Sequence, residues 1–247
     1  MRILDLFCGA GGAAMGYYRA GFEVVGVDIK PQRHYPFEFY QGDALEYCRE
    51  HGHKFDAIHA SPPCQAFTAL KSMWNAKEHP DLVGPTRELL AAIGRPCVIE
   101  NVVGAPLIAP FVLCGTMFGL GTGAAELRRH RLFETTFDIG LVPPCQHGAR
   151  ANVIGVYGGH GRDGRRTVGV YGKRDRGVQE FSTAERAEAM GIDWMTGKEL
   201  SQAIPPAYTE LIGRQLLKLL SPNDTSDAAR SHKSAERQVE GKESEDG

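Results

Sequence analysis

Cys64 stands in the run Ser61–Pro62–Pro63–Cys64–Gln65, where two prolines restrict the backbone and present a thiol at the edge of a loop. Most unpaired cysteines are small buried hydrophobes. A proline-held thiol at the carboxyl end of a strand instead suits a nucleophile, provided its surroundings favour the thiolate. Glu100 heads Glu100–Asn101–Val102 at the close of a very apolar run (Cys97, Val98, Ile99). A carboxylate there is partly desolvated and its pKa should rise toward neutrality, as an acid that donates to a ring nitrogen requires. A plain ion pair with an arginine is the alternative. Gly9, Gly11 and Gly12 follow an apolar run and precede a helical one, so the backbone can turn tightly and bring helix N–H groups to a ligand. The spacing Gly9–x–Gly11–x–x–Ala14, with Asp28 ending the next apolar run, fits a nucleoside-containing cofactor. Asp43 could accept from an adenine amino group, although its spacing fits the N-cap of the following helix better.

Two further groups carry weaker signals. Arg128, Arg129, His130 and Arg131 form the densest cationic cluster and suit a phosphate or base contact. Cys145 and His147 are metal-type ligands, but two ligands without a matching pair elsewhere do not make a zinc motif, so no metal is expected.

These residues need elements to hold them. Strands are expected at Arg2–Phe7, Glu23–Val27, Phe37–Gln41, Phe55–His59 and Cys97–Glu100, with helices at Ala13–Ala20, Leu45–His51 and Thr86–Ile93. Such alternation predicts an α/β fold, a Rossmann-like parallel sheet with helices on both faces and ligands at the carboxyl ends of the strands. Phe67–Asn75, with Met73 and Trp74 as apolar points, reads as a lid. From about Ile139 to Gly177 glycine becomes frequent and helical periodicity vanishes, which predicts a small loop-rich insert. Ser182 with Glu185 forms a capping box, and an amphipathic helix is expected over Tyr208–Leu220. The domain reading is therefore 1–136 for the main unit, 137–180 for the insert, 181–220 for helices that complete the main unit, and 221–247 for a disordered acidic tail.

At 247 residues the chain can bury one substantial core, and its net charge of −2 hides a local asymmetry. Leu141–Arg176 holds seven basic and two acidic residues, whereas Ser221–Gly247 holds four basic and seven acidic. Six cysteines without paired spacing read as reduced thiols. Neither a signal peptide nor a membrane span is expected.

Taken in order, DLFCGAGG, SPPCQAF, IENV, RHRLFE and AIPPAYTELIGRQL resemble the cytosine-5 DNA methyltransferase family over about Arg2 to Leu220. The resemblance implies an S-adenosylmethionine-dependent sheet in which Phe7, Gly9, Gly11, Gly12, Asp28, Ile29, Asp43, Ala44 and Pro62 surround the cofactor. It implies Cys64 as nucleophile, Glu100 as the acid at the cytosine's N3 and amino group, and Arg129 and Arg131 as the pocket pair, Arg131 reaching the base's O2. It places target recognition in the insert, with Gln65, Arg162, Arg165, Arg166, Lys173, Arg174 and Arg176 as DNA contacts. It further implies a double-stranded DNA partner, base flipping, a monomer, a cytoplasmic setting in a prokaryotic or phage-infected cell, and a restriction-modification context. Two positions depart from the family's pattern: Leu127 stands where a glutamine is usual, and Ser201–Gln202 where Gly-Asn is usual. A tRNA methyltransferase with similar motifs, a catalytically silent DNA-binding relative and a nicotinamide-dependent oxidoreductase are the competing readings, the last giving no reason for Pro63–Cys64–Gln65.

Overall fold

The structure, a computed structural model, describes residues 1–63, 81–142, 144–148, 152–157 and 181–221. Cys64, Gln65, the expected lid, the six insert cations from Arg162 to Arg176 and the tail from 222 lie outside the described residues.

The first half alternates as its pattern demands. Strand β1 (Arg2–Leu6) leads to helix α1 (Gly12–Ala20), β2 (Glu23–Asp28), β3 (Glu38–Gln41), α2 (Ala44–His51), β4 (Ala57–Ala60), α3 (Val83–Ile93) and β5 (Cys97–Asn101). These five strands pair in parallel in the order β3-β2-β1-β4-β5. Their residues are buried on both faces, which explains near-continuous apolar runs instead of alternation. Leu4, Val25, Ile58 and Ile99 pack under α2 and α3, while Ile3, Val24, Ala57 and Val98 face α1 and α6 (Pro206–Leu220).

Beyond the expected parallel strands the sheet gains an antiparallel edge. Strands β6 (Phe111–Leu113) and β9 (Arg131–Thr135) extend it as β5-β9-β6, with β9 antiparallel to both neighbours. A second, three-stranded sheet joins β7 (Gly121–Thr122), β8 (Ala125–Leu127) and β10 (Val153–Ile154) in the order β10-β8-β7. Helices α4 (Thr183–Met190) and α5 (Gly197–Gln202) pack against it through Ala189, Met190 and Leu200.

Helix starts follow sequence chemistry. Ser182 and Thr196 make reciprocal capping boxes with Glu185 and Glu199, and Pro206 occupies the first turn of α6. Glycine inside α1 serves packing: a Cβ on Gly16 would lie 2.0 Å from Thr209 Oγ1 and 2.2 Å from the Pro206 carbonyl. The same threonine donates to the Ala13 carbonyl at 2.8 Å, so α1 and α6 touch almost backbone to backbone. Helix α6, far along the chain, thereby becomes part of the wall behind the glycine loop.

Candidate active site

Because β1 to β5 run in parallel, their carboxyl ends share one edge of the sheet, and β1 sits where the strand order reverses. That edge is where such sheets bind ligands. The loop after β1 turns sharply: Phe7 has φ 58, Gly9 φ 49 and Gly11 φ 86. A phenylalanine at positive φ is held there only because the surroundings over-determine it, which is common where backbone meets ligand. Gly11 lies against Pro36 and Tyr35, where a Cβ would approach to 2.9 Å, and a Cβ on Gly12 would lie 2.4 Å from the Ile204 carbonyl. Gly9 borders open space. The Trp194 indole N–H donates to the Ala10 carbonyl at 2.9 Å, tying the α4–α5 connection to the same loop.

Asp28 ends β2 beside this loop. Its carboxylate accepts from the Gly9 N–H at 3.0 Å and the Lys30 N–H at 2.9 Å, one bond to each oxygen. Each oxygen retains a lone pair for a ligand hydroxyl. Next to it Ile29 is 64% exposed, an apolar surface at the mouth of the site. Asp43 is the N-cap of α2, its Oδ1 accepting from the Leu45 and Glu46 N–H groups at 2.9 Å. The N-cap reading from spacing holds, and Ala44 is buried directly behind it. The donor set of Phe7, Gly9, Asp28, Ile29 and Asp43 fits a nucleoside-bearing cofactor: open space at a turned glycine, acids at two neighbouring strand ends and an exposed apolar face.

The second half of the site lies at the ends of β4 and β5. Glu100 is 6% exposed, and burial raises its pKa against the opposing pull of Arg131, a Ser61 hydrogen bond and Arg129. Arg131 Nε sits 3.1 Å from Glu100 Oε1, in a pair with little solvent on either side. Arginine pairing and desolvation, treated as alternatives from the sequence, operate together, and desolvation wins. Behind Glu100 runs a polar chain: Ser61 Oγ meets His59 Nε2 at 2.9 Å, and His59 Nδ1 meets the Tyr17 hydroxyl at 2.9 Å. His59 is wholly buried and burial pulls its pKa down to about 3, so it stays neutral. Asp5 on β1 is buried too, and neither of its carboxylate oxygens has a hydrogen-bond partner among the described residues. Burial, then the Asp28 and Glu100 charges, raise its pKa well above the carboxylate range.

Asn101 is the residue that sequence reasoning passed over. It is 1% exposed, and its side-chain amide donates to the Pro62 carbonyl at 3.0 Å. That bond ties the end of β5 to the backbone just before Pro63, the root of the segment that leads to Cys64. The signal was in the sequence, an amide directly after Glu100, but a lone Asn does not reveal its partner.

The two arginines separate. Arg131 reaches Glu100, whereas Arg129 is 1% exposed and directs its guanidinium at backbone carbonyls. It donates to Ala203 at 3.0 Å, Ser201 at 2.9 Å and Val156. Tyr208 donates its hydroxyl back to the Arg129 carbonyl at 2.5 Å. Burial, with Arg131 nearby, lowers its pKa to about 9, which leaves it charged at neutral pH. Arg129 thus joins the C-terminal segment to the strand that carries Arg131, as a positioning residue. Two of these carbonyls, those of Ser201 and Ala203, flank Gln202 in the C-terminal segment.

Residues 1–82 match the family model described as C-5 cytosine-specific DNA methylase. A Fusobacterium nucleatum protein named type II methyltransferase M.FnuDI is 31% identical over 80 residues, a match that covers 30% of this chain and 23% of that protein. Among solved structures, the S. pombe Dnmt2 methyltransferase aligns at TM-score 0.55 and 14% identity, covering 89% of this chain and 99% of that one. The Entamoeba histolytica methyltransferase EhMeth aligns at TM-score 0.54 and 13% identity, covering 89% and 98%. These two show a similar fold over most of the chain, well beyond the stretch that sequence comparison reaches. The glycine loop, the acids at the ends of β2 and β3 and the Pro62–Pro63–Cys64 run all fall within residues 1–82, the stretch that is similar to the C-5 cytosine-specific DNA methylase model.

Proposed function

We propose that the protein is a DNA (cytosine-5-)-methyltransferase that uses S-adenosylmethionine and acts on a cytosine turned out of the duplex. The observation that carries the reading is the Glu100 site: a desolvated acid, paired to Arg131, one residue before the amide that holds Pro62. Carbon 5 of cytosine is a poor nucleophile. Cys64 adds to carbon 6 while Glu100 shares its proton with N3, and the ring's electron density moves to carbon 5. Arg131 holds Glu100 in place and offers N–H groups to the base's O2. Bound S-adenosylmethionine supplies a methyl group on a positively charged sulfur for carbon 5 to take. Loss of the carbon 5 proton and departure of Cys64 then restore the ring. A base inside a duplex cannot reach such a buried acid, so the cytosine must leave the stack.

The cofactor lies, in this reading, along the carboxyl ends of β1 to β3, with Asp28 at its ribose, Asp43 and Ile29 at its adenine, and Phe7, Ala44 and Pro62 closing around it. Arg162, Arg165, Arg166, Lys173, Arg174 and Arg176 are proposed to contact phosphates or the guanine O6 and N7 edge, and Gln65 the target strand. The partner is double-stranded DNA and the active form a monomer. Among the described residues no helix is long and apolar enough to cross a membrane.

Bisulfite sequencing of DNA from cells expressing the wild-type chain, against a Cys64→Ser control, tests the proposal. Site-specific protected cytosines in the wild type alone are expected. Unprotected DNA, with methyl transfer to tRNA in a competition between the two, would replace the DNA reading with the tRNA one.

A further inference from the structure

Four side chains from three separate stretches converge beside the pocket arginines: Cys114, at the end of β6; His130, between Arg129 and Arg131; and Cys145 with His147, in the segment that follows β9. Their sulfur and ring-nitrogen atoms all lie within 4.8 Å of one another. Cys114 Sγ is 3.4 Å from His147 Nε2, and Cys145 Sγ is 3.6 Å from His130 Nε2. A tetrahedral zinc with bonds of about 2.3 Å to sulfur and 2.0 Å to nitrogen sets its ligands about 3.3–3.8 Å apart along the edges. The two measured edges fall in that range. We propose that this cluster is a structural zinc site of two thiolates and two imidazoles.

The expectation of no metal rested on Cys145 and His147 lacking a second pair; Cys114 and His130 supply one. The set is complete in itself, so it fits a closed structural site and leaves no position for catalytic water. Two thiolates, two neutral imidazoles and a divalent ion sum to zero charge, which suits a site flanked by Arg128, Arg129 and Arg131 better than a bare cation would. Outer contacts are in place. Thr116 Oγ1 donates to Cys114 Sγ at 3.4 Å, as groups around a metal thiolate commonly do. Arg128 donates to the Gly148 carbonyl at 2.7 Å, and the Gly148 N–H donates to Glu126 at 3.3 Å, both fixing the segment that brings Cys145 and His147. Cys114 is buried and the two imidazoles are more open, so the site closes from the protein side outward. The metal would fasten residues 144–148, the root of the basic insert, to the strands that carry Arg131.

The test uses the full-length chain expressed with ample zinc and desalted under reducing conditions. Elemental analysis should find about one zinc per chain, and Cys145→Ser and His147→Ala should each lose most of it. In wild-type protein regrown with Co²⁺, tetrahedral d–d bands with sulfur-to-cobalt charge transfer should appear, a readout that needs no variant to fold. Metal-free wild-type protein, a Cys114–Cys145 disulfide persisting in the reductant, or octahedral cobalt without charge transfer would each overturn the site. None of these readouts involves methyl transfer, so the zinc site and the proposed reaction stand or fall separately.

Discussion

Replacing Arg129 and Arg131 by methionine, one at a time, should separate two roles that sequence assigns to a single pair. In Arg129→Met the carbonyls of Val156, Ser201 and Ala203 lose their donor, and the Val156 bond is the most buried of the three. An unmet buried acceptor costs about 1–3 kcal/mol and a partly wetted one less. Removal of a buried guanidinium returns some of this, because such a charge is costly to desolvate. The net loss should be about 2–4 kcal/mol, or about 5–15 °C in melting temperature for a chain of this size. Arg131→Met behaves differently. Its partner Glu100 has a pKa already raised by burial, so the acid can take a proton and avoid an unpaired charge. Its stability cost should stay near 1 kcal/mol, while methyl transfer should collapse. Thermal melts beside single-turnover methylation of a hemimethylated or unmodified duplex would read both. An Arg129→Met protein that melts with the wild type yet loses activity would show that Arg129 reaches the base, and the division of labour argued above would fail.

Three more outcomes are expected. Glu100→Gln should slow methyl transfer at least about 100-fold, and the wild-type rate should fall as pH rises through the raised Glu100 pKa, a limb the variant lacks. A pH–rate profile identical in both proteins would remove Glu100 as the acid. His59, neutral and depressed to about 3, contributes stability that is present above about pH 6.5 and lost as pH falls toward 3, because the unfolded chain takes the proton first. Urea titrations at pH 7 and pH 4.5 should show His59→Gln losing less stability than the wild type over that interval, by about 1.4 kcal/mol per pH unit below 6.5; equal losses would contradict it. Asp28→Ala should weaken S-adenosylmethionine binding by about 1–3 kcal/mol in calorimetry, partly through the Gly9 N–H it no longer holds; unchanged affinity would reduce Asp28 to a loop tie.

The first five strands and three helices were legible because each is a local pattern: an apolar run of strand length, a turn, then a helical period. The positions of Gly9, Asp28, Asp43 and Glu100 at strand ends followed directly from that register. Long-range pairing was not legible. The antiparallel insertion of β9 between β5 and β6 depends on which edge the chain returns to, and nothing within Arg131–Thr135 encodes that. The Asn101 amide needs Pro62 beside it, and Arg129 needs the carbonyls of a segment more than seventy residues away. The Cys114, His130, Cys145 and His147 cluster failed the test of spacing for the same reason. Cys114 and His130 arrive singly, beside β6 and β9, and only Cys145 and His147 are near in sequence, so no short motif announces the set.

Covalent trapping tests the central claim most directly. Incubating the wild-type chain with S-adenosylmethionine and duplex DNA bearing 5-fluorocytosine at the target position should leave a stable protein–DNA adduct, because fluorine cannot depart as a proton does. Peptide mapping should place the adduct on Cys64 and its formation should vanish in Cys64→Ser. An adduct on another cysteine, or methylation of ordinary cytosine that persists in Cys64→Ser, would contradict the account.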